Sequence, residues 1–352
     1  ENSDPDLASD PRIPAPFDPK GERNHIRHSL SACEKFNSLL EQVFLYITNR
    51  CGLRCEQCFY KSELNNVEMP LAVALFHAQE CAKLGATKIT LLGGEPSLYD
   101  LAQKWHNLKA LVSALPSFGY KTIRIDTNGQ FEEEFIDAIT GLPITELSFS
   151  LDGGSAVQND QLRGVGVFER VVTNIRRCLH SFRVSVTICV GRANLATLTG
   201  DVRYLSSVGV RSLNFHPLLC IGNRQDEYIR QTAITAEEWR SACSTLLEMR
   251  AREKQLAPMR VPPRFTTHPI TTAENYCSLR RRDRVHIHPN GQLRICPLTV
   301  GTPYLTAHTV NDRLKFVEGS SEAGQLDNSK VCAFQRIIAD ALEPLCVSYK
   351  PA

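Results

Sequence analysis

From Val43 onward short apolar runs alternate with helical patterns, and this rhythm constrains the fold more than any other feature of the chain. Runs at Val43–Thr48, Lys88–Leu92, Thr122–Ile125, Glu146–Leu151, Val184–Val190 and Ser212–Leu218 read as strands. Between them helical periodicity covers Pro70–Leu84 and positions 100–115, 131–140, 165–181 and 195–208. Pro70 suits a first helical position, and Gly85 suits a stop. Strands that alternate with helices pair in parallel, because a parallel neighbour is reached only by a long crossover. Six such units fit either an open doubly wound sheet or a partial barrel. In both architectures ligands bind at the carboxyl edge of the strands, and here each chemically distinctive cluster directly follows a strand.

Outside that region the signals are weaker. Residues 1–25 hold five prolines and no periodic apolar pattern, so they read as a disordered N-terminal arm. His28 to Gln42 fits a short helix. Thr235–Arg252 reads as a helix, and 255–275, rich in Pro and Thr, as a linker. Val285–Ile287, Pro-Asn-Gly and Gln292–Ile295 read as a β-hairpin, since Asn-Gly is a strong two-residue turn signal. Ser329–Pro344 fits a last helix. The expected domains are the arm, a barrel over 26–225, a helix and linker over 226–275, and a small unit over 276–352.

Lys and Arg number 40 against 38 Asp and Glu, a balance of 40 − 38 = +2, which argues against nucleic acid or an anionic membrane as the main partner. No apolar run approaches the roughly 18 residues that span a bilayer. No basic-then-apolar secretory pattern opens the chain, so a cytoplasmic, reducing setting is expected for its 13 cysteines.

Cys51-Gly-Leu-Arg-Cys55-Glu-Gln-Cys58 follows the first strand. Three thiolates on one short loop suit an iron–sulfur cluster, and three ligands for a four-iron cubane leave one iron open for chemistry. A zinc site completed by His77 or a distant cysteine, without chemistry, is the alternative from another class; a thioredoxin-like pair is disfavoured by context. Cys33, Cys81, Cys178, Cys189, Cys220 and Cys243 lie in apolar patterns and read as core thiols.

The C-x3-C-x2-C loop followed by Phe59, with Gly93-Gly94-Glu95-Pro96 after the second strand, resembles the radical S-adenosylmethionine (SAM) superfamily. Ser150-Leu151-Asp152-Gly153 and Leu162-Arg163-Gly164 are similar to SAM-contacting segments of its SPASM/twitch subgroup. The resemblance covers residues 43–220. It implies an α/β fold with a partial (β/α)6 barrel of parallel strands, plus a small C-terminal twitch-like domain with a β-hairpin and a helix. It also implies a [4Fe-4S] cluster on Cys51, Cys55 and Cys58, whose open iron is chelated by SAM. One electron then yields methionine and a 5′-deoxyadenosyl radical that abstracts a substrate hydrogen. On this reading Gly93 and Gly94 let backbone approach the ligand, and Glu95 accepts from the SAM ammonium. Asp126, Thr127 and Asn128 bond the ribose hydroxyls, while Ser150 and Arg163 hold the methionine carboxylate and Asp152 belongs to the same SAM-contacting segment. Leu218, with Leu219, packs adenine. Each segment also has a plainer reading as a turn or a surface residue.

Cys277 and Cys296 flank the expected hairpin and are similar to the opening of a twitch domain. With Cys332 and Cys346 they make four thiolates, enough to close one auxiliary [4Fe-4S] cluster. Arg280, Arg281, Arg282 and Arg284 form a basic run, read as a solvated face or a contact for an acidic substrate or a reducing partner. His286 and His288 share one face of a strand, either as substrate contacts or acid/base groups, or on an exposed hairpin face. The implied activity is a radical SAM oxidoreductase acting on a small hydroxylated substrate of sugar or aminocyclitol type, with the auxiliary cluster as electron acceptor. The alternative is a maturase that crosslinks, oxidises or epimerises a ribosomal peptide. About 40 residues before the first strand are few for a peptide-recognition domain, which tilts the choice to the small molecule. A flavodoxin or ferredoxin is the expected electron donor.

Overall fold

The computed structural model describes residues 40–218, 227–261, 283–294, 307–310 and 313–315. The expected arm, the helix at 329–344, Leu219, Arg280 to Arg282, and Cys33, Cys220, Cys277, Cys296, Cys332 and Cys346 lie outside the described residues. Strands β1 (Gln42–Thr48), β2 (Lys88–Gly93), β3 (Thr122–Thr127), β4 (Glu146–Ser150), β5 (Val184–Val190) and β6 (Ser212–Pro217) pair in parallel in sequential order. That order decides between the two candidate architectures. A doubly wound sheet reverses its strand order, whereas sequential strands with same-handed crossovers put every helix on one face and curl into a partial barrel. The sheet is not closed.

The longer helices among the described residues are α1 (Leu71–Lys83), α2 (His106–Ala114), α3 (Glu133–Ile139), α4 (Ala156–Arg163), α5 (Val167–Cys178), α6 (Leu198–Val208) and α7 (Ala236–Arg252). They cover the outward strand positions. Leu45, Ile47, Ile89, Leu91, Ile123, Ile125, Leu147, Phe149, Val186, Ile188, Leu213 and Phe215 are all at most 1% exposed and share one core with the helices. No helix among the described residues is long and apolar enough to cross a membrane.

Several elements differ from expectation. Gln42 opens β1 rather than ending a helix. The helical stretch at 165–181 is preceded by a separate helix, α4, whose polar sequence AVQNDQLR gives little periodic signal; Gly164, at φ +114°, separates it from α5. Met259–Arg260, inside the expected linker, forms β7 and pairs in parallel with β6. The hairpin is present as β8 (Arg284–Ile287) and β9 (Gln292–Arg294), but its turn spans four residues. The Gly291 N–H donates to the His288 carbonyl at 3.0 Å with Gly291 at φ +78°. β8 runs parallel to β1, with Phe44 opposite His286, so the hairpin extends the barrel sheet. β10 (Ala307–Val310) and β11 (Arg313–Lys315) add antiparallel strands beyond β9.

Candidate functional site

The cysteine loop grows from the end of β1. Its base is closed by Asn49 N–H to Val67 O at 2.8 Å and Met69 N–H to Ile47 O at 2.8 Å, with the Arg50–Glu68 ion pair at 2.9 Å. Its middle is tied to the end of α4 by Glu56 N–H to Leu162 O at 2.9 Å. Cys51, Cys55 and Cys58 are partly accessible and near enough to one another for their charges to interact. Burial pushes the Cys51 thiol up to about 11. Burial also raises Cys55, against the pull of the Arg163 guanidinium. Two N–H groups point at the Cys51 sulfur, Leu53 N at 3.4 Å and Asn128 Nδ2 at 3.5 Å.

This donor set fits an iron–sulfur cluster. Three thiols lie on one short loop within range of one another's charge, one sulfur already receives N–H donors, and a cation lies near another. Bare, the three would repel as thiolates, and iron removes that penalty. Among the described residues no three His, Cys, Asp or Glu side chains converge on a single metal ion, the three thiols included. A cubane needs no such convergence, because each thiolate takes a different iron.

Gly93 and Gly94 make a close approach, but to protein. A Cβ on Gly93 would lie 2.0 Å from Thr48 O, and one on Gly94 would lie 2.2 Å from Arg50 O. The glycines thus let the end of β2 cross the last residues before Cys51, where Gly94 N–H donates to Thr48 O at 2.8 Å and Glu95 N–H to Arg50 O at 2.7 Å. The Glu95 carboxylate, 1% exposed, accepts from Ser97 N at 3.0 Å, Thr127 Oγ1 at 2.7 Å and Asn128 N at 2.6 Å. It therefore clamps the ends of β2 and β3 together. Burial raises its pKa while those donors lower it. Thr127, 3% exposed, is used up in this clamp and in accepting from Gly129 N, so it does not face an open site.

Asp152 is fully buried. It pairs with Arg163 at 2.7 Å, accepts from Cys189 N at 2.7 Å and receives the Gln57 side chain. It fixes Arg163 beside Cys55. Asp152→Ala leaves a guanidinium only 11% exposed without its partner. Such a loss costs about 3–5 kcal/mol, to be read as a lower urea midpoint at unchanged slope. Leu218 is 5% exposed and hydrogen-bonded to Val190 O, while Phe59 is 40% exposed on the loop surface.

The concave face of the sheet carries what sequence reading missed. Arg124 Nε pairs with Asp126 at 2.5 Å, and its Nη2 donates to Ser148 Oγ at 2.8 Å. Ser148 Oγ meets Thr187 Oγ1 at 3.1 Å, Asn214 Nδ2 reaches Thr187 Oγ1 at 3.5 Å, and Glu146 lies 3.5 Å from Arg124 Nη1. Ser150 opens on the same face, as does Cys189, which is partly accessible rather than a core thiol. Parallel sheets are usually apolar on both faces, so the period-two polar residues of β3 to β6 were the available signal. His286 and His288, 3% and 2% exposed, are buried and not on an exposed hairpin face.

Residues 45–201 match the family model described as Radical SAM superfamily. The chain is 23% identical over 192 residues to the probable GTP 3',8-cyclase of Saccharolobus solfataricus, covering 54% of this chain and 60% of that protein. It is 21% identical over 272 residues to the probable GTP 3',8-cyclase of Saccharolobus islandicus, covering 75% and 84%. In the first of these pairs, then, the chain spans less than two thirds of its relative. Among solved structures, Streptococcus suis SuiB bound to precursor peptide SuiA superposes with a TM-score of 0.62 at 14% identity, covering 94% of this chain and 75% of that one. Native anSMEcpe with bound AdoMet gives 0.58 at 15% identity, covering 74% and 75%. At these identities the superpositions establish the fold.

Proposed function

Residues 45–201 are a radical SAM domain, and from there we propose that the chain is a radical SAM enzyme that holds a [4Fe-4S] cluster on Cys51, Cys55 and Cys58 and acts on a small hydroxylated substrate in the concave face of its sheet. Held by these three thiols, a [4Fe-4S] cluster with SAM would supply the radical chemistry that removes a hydrogen atom from substrate. The protein's own residues do the rest. Leu53 N–H and Asn128 Nδ2 stabilise the Cys51 thiolate, and Arg163, steered by Asp152, stabilises that of Cys55. Gly93, Gly94 and Glu95 hold the loop to the neighbouring strand ends. On this reading Asp126, Ser150 and Asn128 grip the nucleoside and methionine parts of SAM.

The observation that carries the substrate class is the chain of side chains from Asp126 through Arg124, Ser148 and Thr187 to Asn214. Hydroxyl, amide and carboxylate groups along the concave face, with Ser148 and Asn214 buried at its base, match the donors and acceptors of a polyol or amino sugar. The guanidinium of this row is already engaged by two carboxylates, which suits a neutral or amine-bearing ligand better than the triphosphate of the GTP 3',8-cyclases. A peptide substrate is the second reading, favoured by the superposition on SuiB bound to its precursor peptide. We further propose an auxiliary cluster on Cys277, Cys296, Cys332 and Cys346, membership of the SPASM/twitch subgroup, and a flavodoxin- or ferredoxin-type donor.

Anaerobic reconstitution with iron and sulfide tests the reading. Roughly seven to eight irons per chain indicate two cubanes and about four indicate one. Adding SAM to the dithionite-reduced protein is expected to change its EPR spectrum. A colourless protein with stoichiometric zinc, or a spectrum indifferent to SAM, overturns it.

A further inference from the structure

Against the cysteine loop four rings are packed out of reach of solvent. Tyr46 of β1, Tyr60 just beyond Cys58, His286 of β8 and His288 at its end are 1%, 3%, 3% and 2% exposed. His288 stacks on Tyr46 with ring centres 4.2 Å apart and lies 5.6 Å from Tyr60, nearly parallel to it; His286 stacks on Phe44 at 4.5 Å. Cys58 packs against the two tyrosines. Aromatic stacking alone would be served by four phenyl rings, so the polar atoms need an explanation.

Their proton bookkeeping supplies one. The Tyr60 hydroxyl has one proton, which it donates to Asn49 Oδ1 at 2.7 Å. Its oxygen then accepts from His288 Nδ1, 3.1 Å away. With the Tyr60 proton committed to Asn49, the hydrogen bond requires the His288 proton on Nδ1, and burial, with Arg294 nearby, favours the neutral ring. Its Nε2 is buried without a partner. Beside its ring stacking, the imidazole thus makes one hydrogen bond among the described residues, to the Tyr60 hydroxyl. Asn49 stands two residues before Cys51, and Tyr60 two after Cys58. One hydroxyl therefore ties both ends of the thiol loop, and it rests on a histidine 228 positions further along the chain. That histidine is anchored in turn, since β8 pairs with β1 from Gln42 to Leu45 and Glu41 N–H donates to Asp283 O at 2.8 Å.

We propose that His288 is a positioning residue for the iron–sulfur loop: through the Tyr60 hydroxyl, the β8–β9 hairpin fixes both ends of the Cys51–Cys58 segment and with them the geometry in which its three thiols receive a cluster. This rests on the cluster assignment given above. It makes the hairpin part of the catalytic barrel, although it lies far beyond residues 45–201. It also explains why the contact is polar. A stack sets distance, whereas a hydroxyl shared by Asn49 and His288 sets the angle between the loop's two ends.

Full-length chains carrying Tyr60→Phe, His288→Phe, both changes, or His288→Gln are reconstituted and reduced with dithionite. The readout is the SAM-responsive EPR signal and its rate of decay in the presence of a chelator. Each Phe variant is expected to shift the g-values and speed the decay roughly tenfold, as loss of an outer-shell partner does. The double variant is expected to be no worse than the worse single one, because both remove one contact. His288→Gln, whose amide can still donate to the hydroxyl, should fall within about threefold of wild type. Should His288→Phe fail to fold, Tyr60→Phe, which deletes only an oxygen, carries the comparison. Variants that lower the thermal midpoint but keep the wild-type spectrum and decay reduce His288 to a packing role and overturn the proposal. A wild-type chain with no SAM-responsive signal instead sinks the cluster assignment itself.

Discussion

Replacing Cys55 by alanine abolishes formation of 5′-deoxyadenosine from SAM in dithionite while leaving the barrel folded. The two halves of this expectation have separate causes. The loop around Cys55 is held by backbone, through Glu56 N–H to Leu162 O at 2.9 Å and Cys58 N–H to Cys55 O at 3.2 Å, and alanine keeps both. The Cys55 side chain is partly accessible and belongs to neither hydrophobic cluster, so its loss opens no core cavity. What disappears is one of three thiolates. Losing an outer-shell partner of a metal ligand costs roughly 10–100-fold in affinity or activity, and losing a ligand itself should exceed that range. Chromatographic measurement of 5′-deoxyadenosine, beside iron per chain and far-UV circular dichroism, checks both halves. Wild-type levels of product from the alanine variant would remove Cys55 from the ligand set.

The parts of this protein legible in the sequence are those fixed by local periodicity. The strands β1 to β6 announce themselves because their outward positions must be apolar, and the cysteine loop because three thiols in eight residues have few other uses. The placement of β8 was not legible. Its pairing with β1 joins positions some 240 apart, and no local pattern encodes a partner strand. A structural demand on Gly93, Gly94 and Glu95 was hidden for a related reason. Their motif suggests contact with a ligand, and the sheet alone brings Thr48, Arg50, Thr127 and Asn128 against the same residues. Arg124 and Ser148 escaped notice because strands in parallel sheets are expected to be apolar on both faces. His286 and His288 were visible as a pair, yet nothing in the hairpin itself told a buried face from an exposed one. Each miss concerns a relation between elements, and each hit a property of one.

Gly94→Ala is expected to damage both stability and SAM cleavage with a single added methyl. Its Cβ would meet Arg50 O at 2.2 Å, Arg50 C at 2.6 Å and Asn49 O at 2.8 Å, all of them backbone atoms. No side chain can swing away to relieve the clash. The exit of β2 must lift off the exit of β1, which stretches the bonds from Gly94 N–H to Thr48 O and from Glu95 N–H to Arg50 O. Overpacking of this kind costs about 1–3 kcal/mol, and the two weakened hydrogen bonds add about 1 kcal/mol each, for a total near 3–5 kcal/mol. The displacement also travels. Glu95 moves with Gly94, and Glu95 holds Asn128 N–H, while the Asn128 side chain touches the Cys51 sulfur. A misplacement of about 1 Å at a reacting centre can cost roughly a hundredfold in rate, so 5′-deoxyadenosine formation should fall by at least that much. Gly52→Ala provides the control. It lies beside Cys51, and a Cβ there meets nothing within 4 Å. That variant should keep the wild-type urea midpoint and most of its SAM cleavage. If the two alanine variants behave alike, the tight crossing of the strand ends does not govern the cysteine loop, and the role assigned here to Gly94 is wrong.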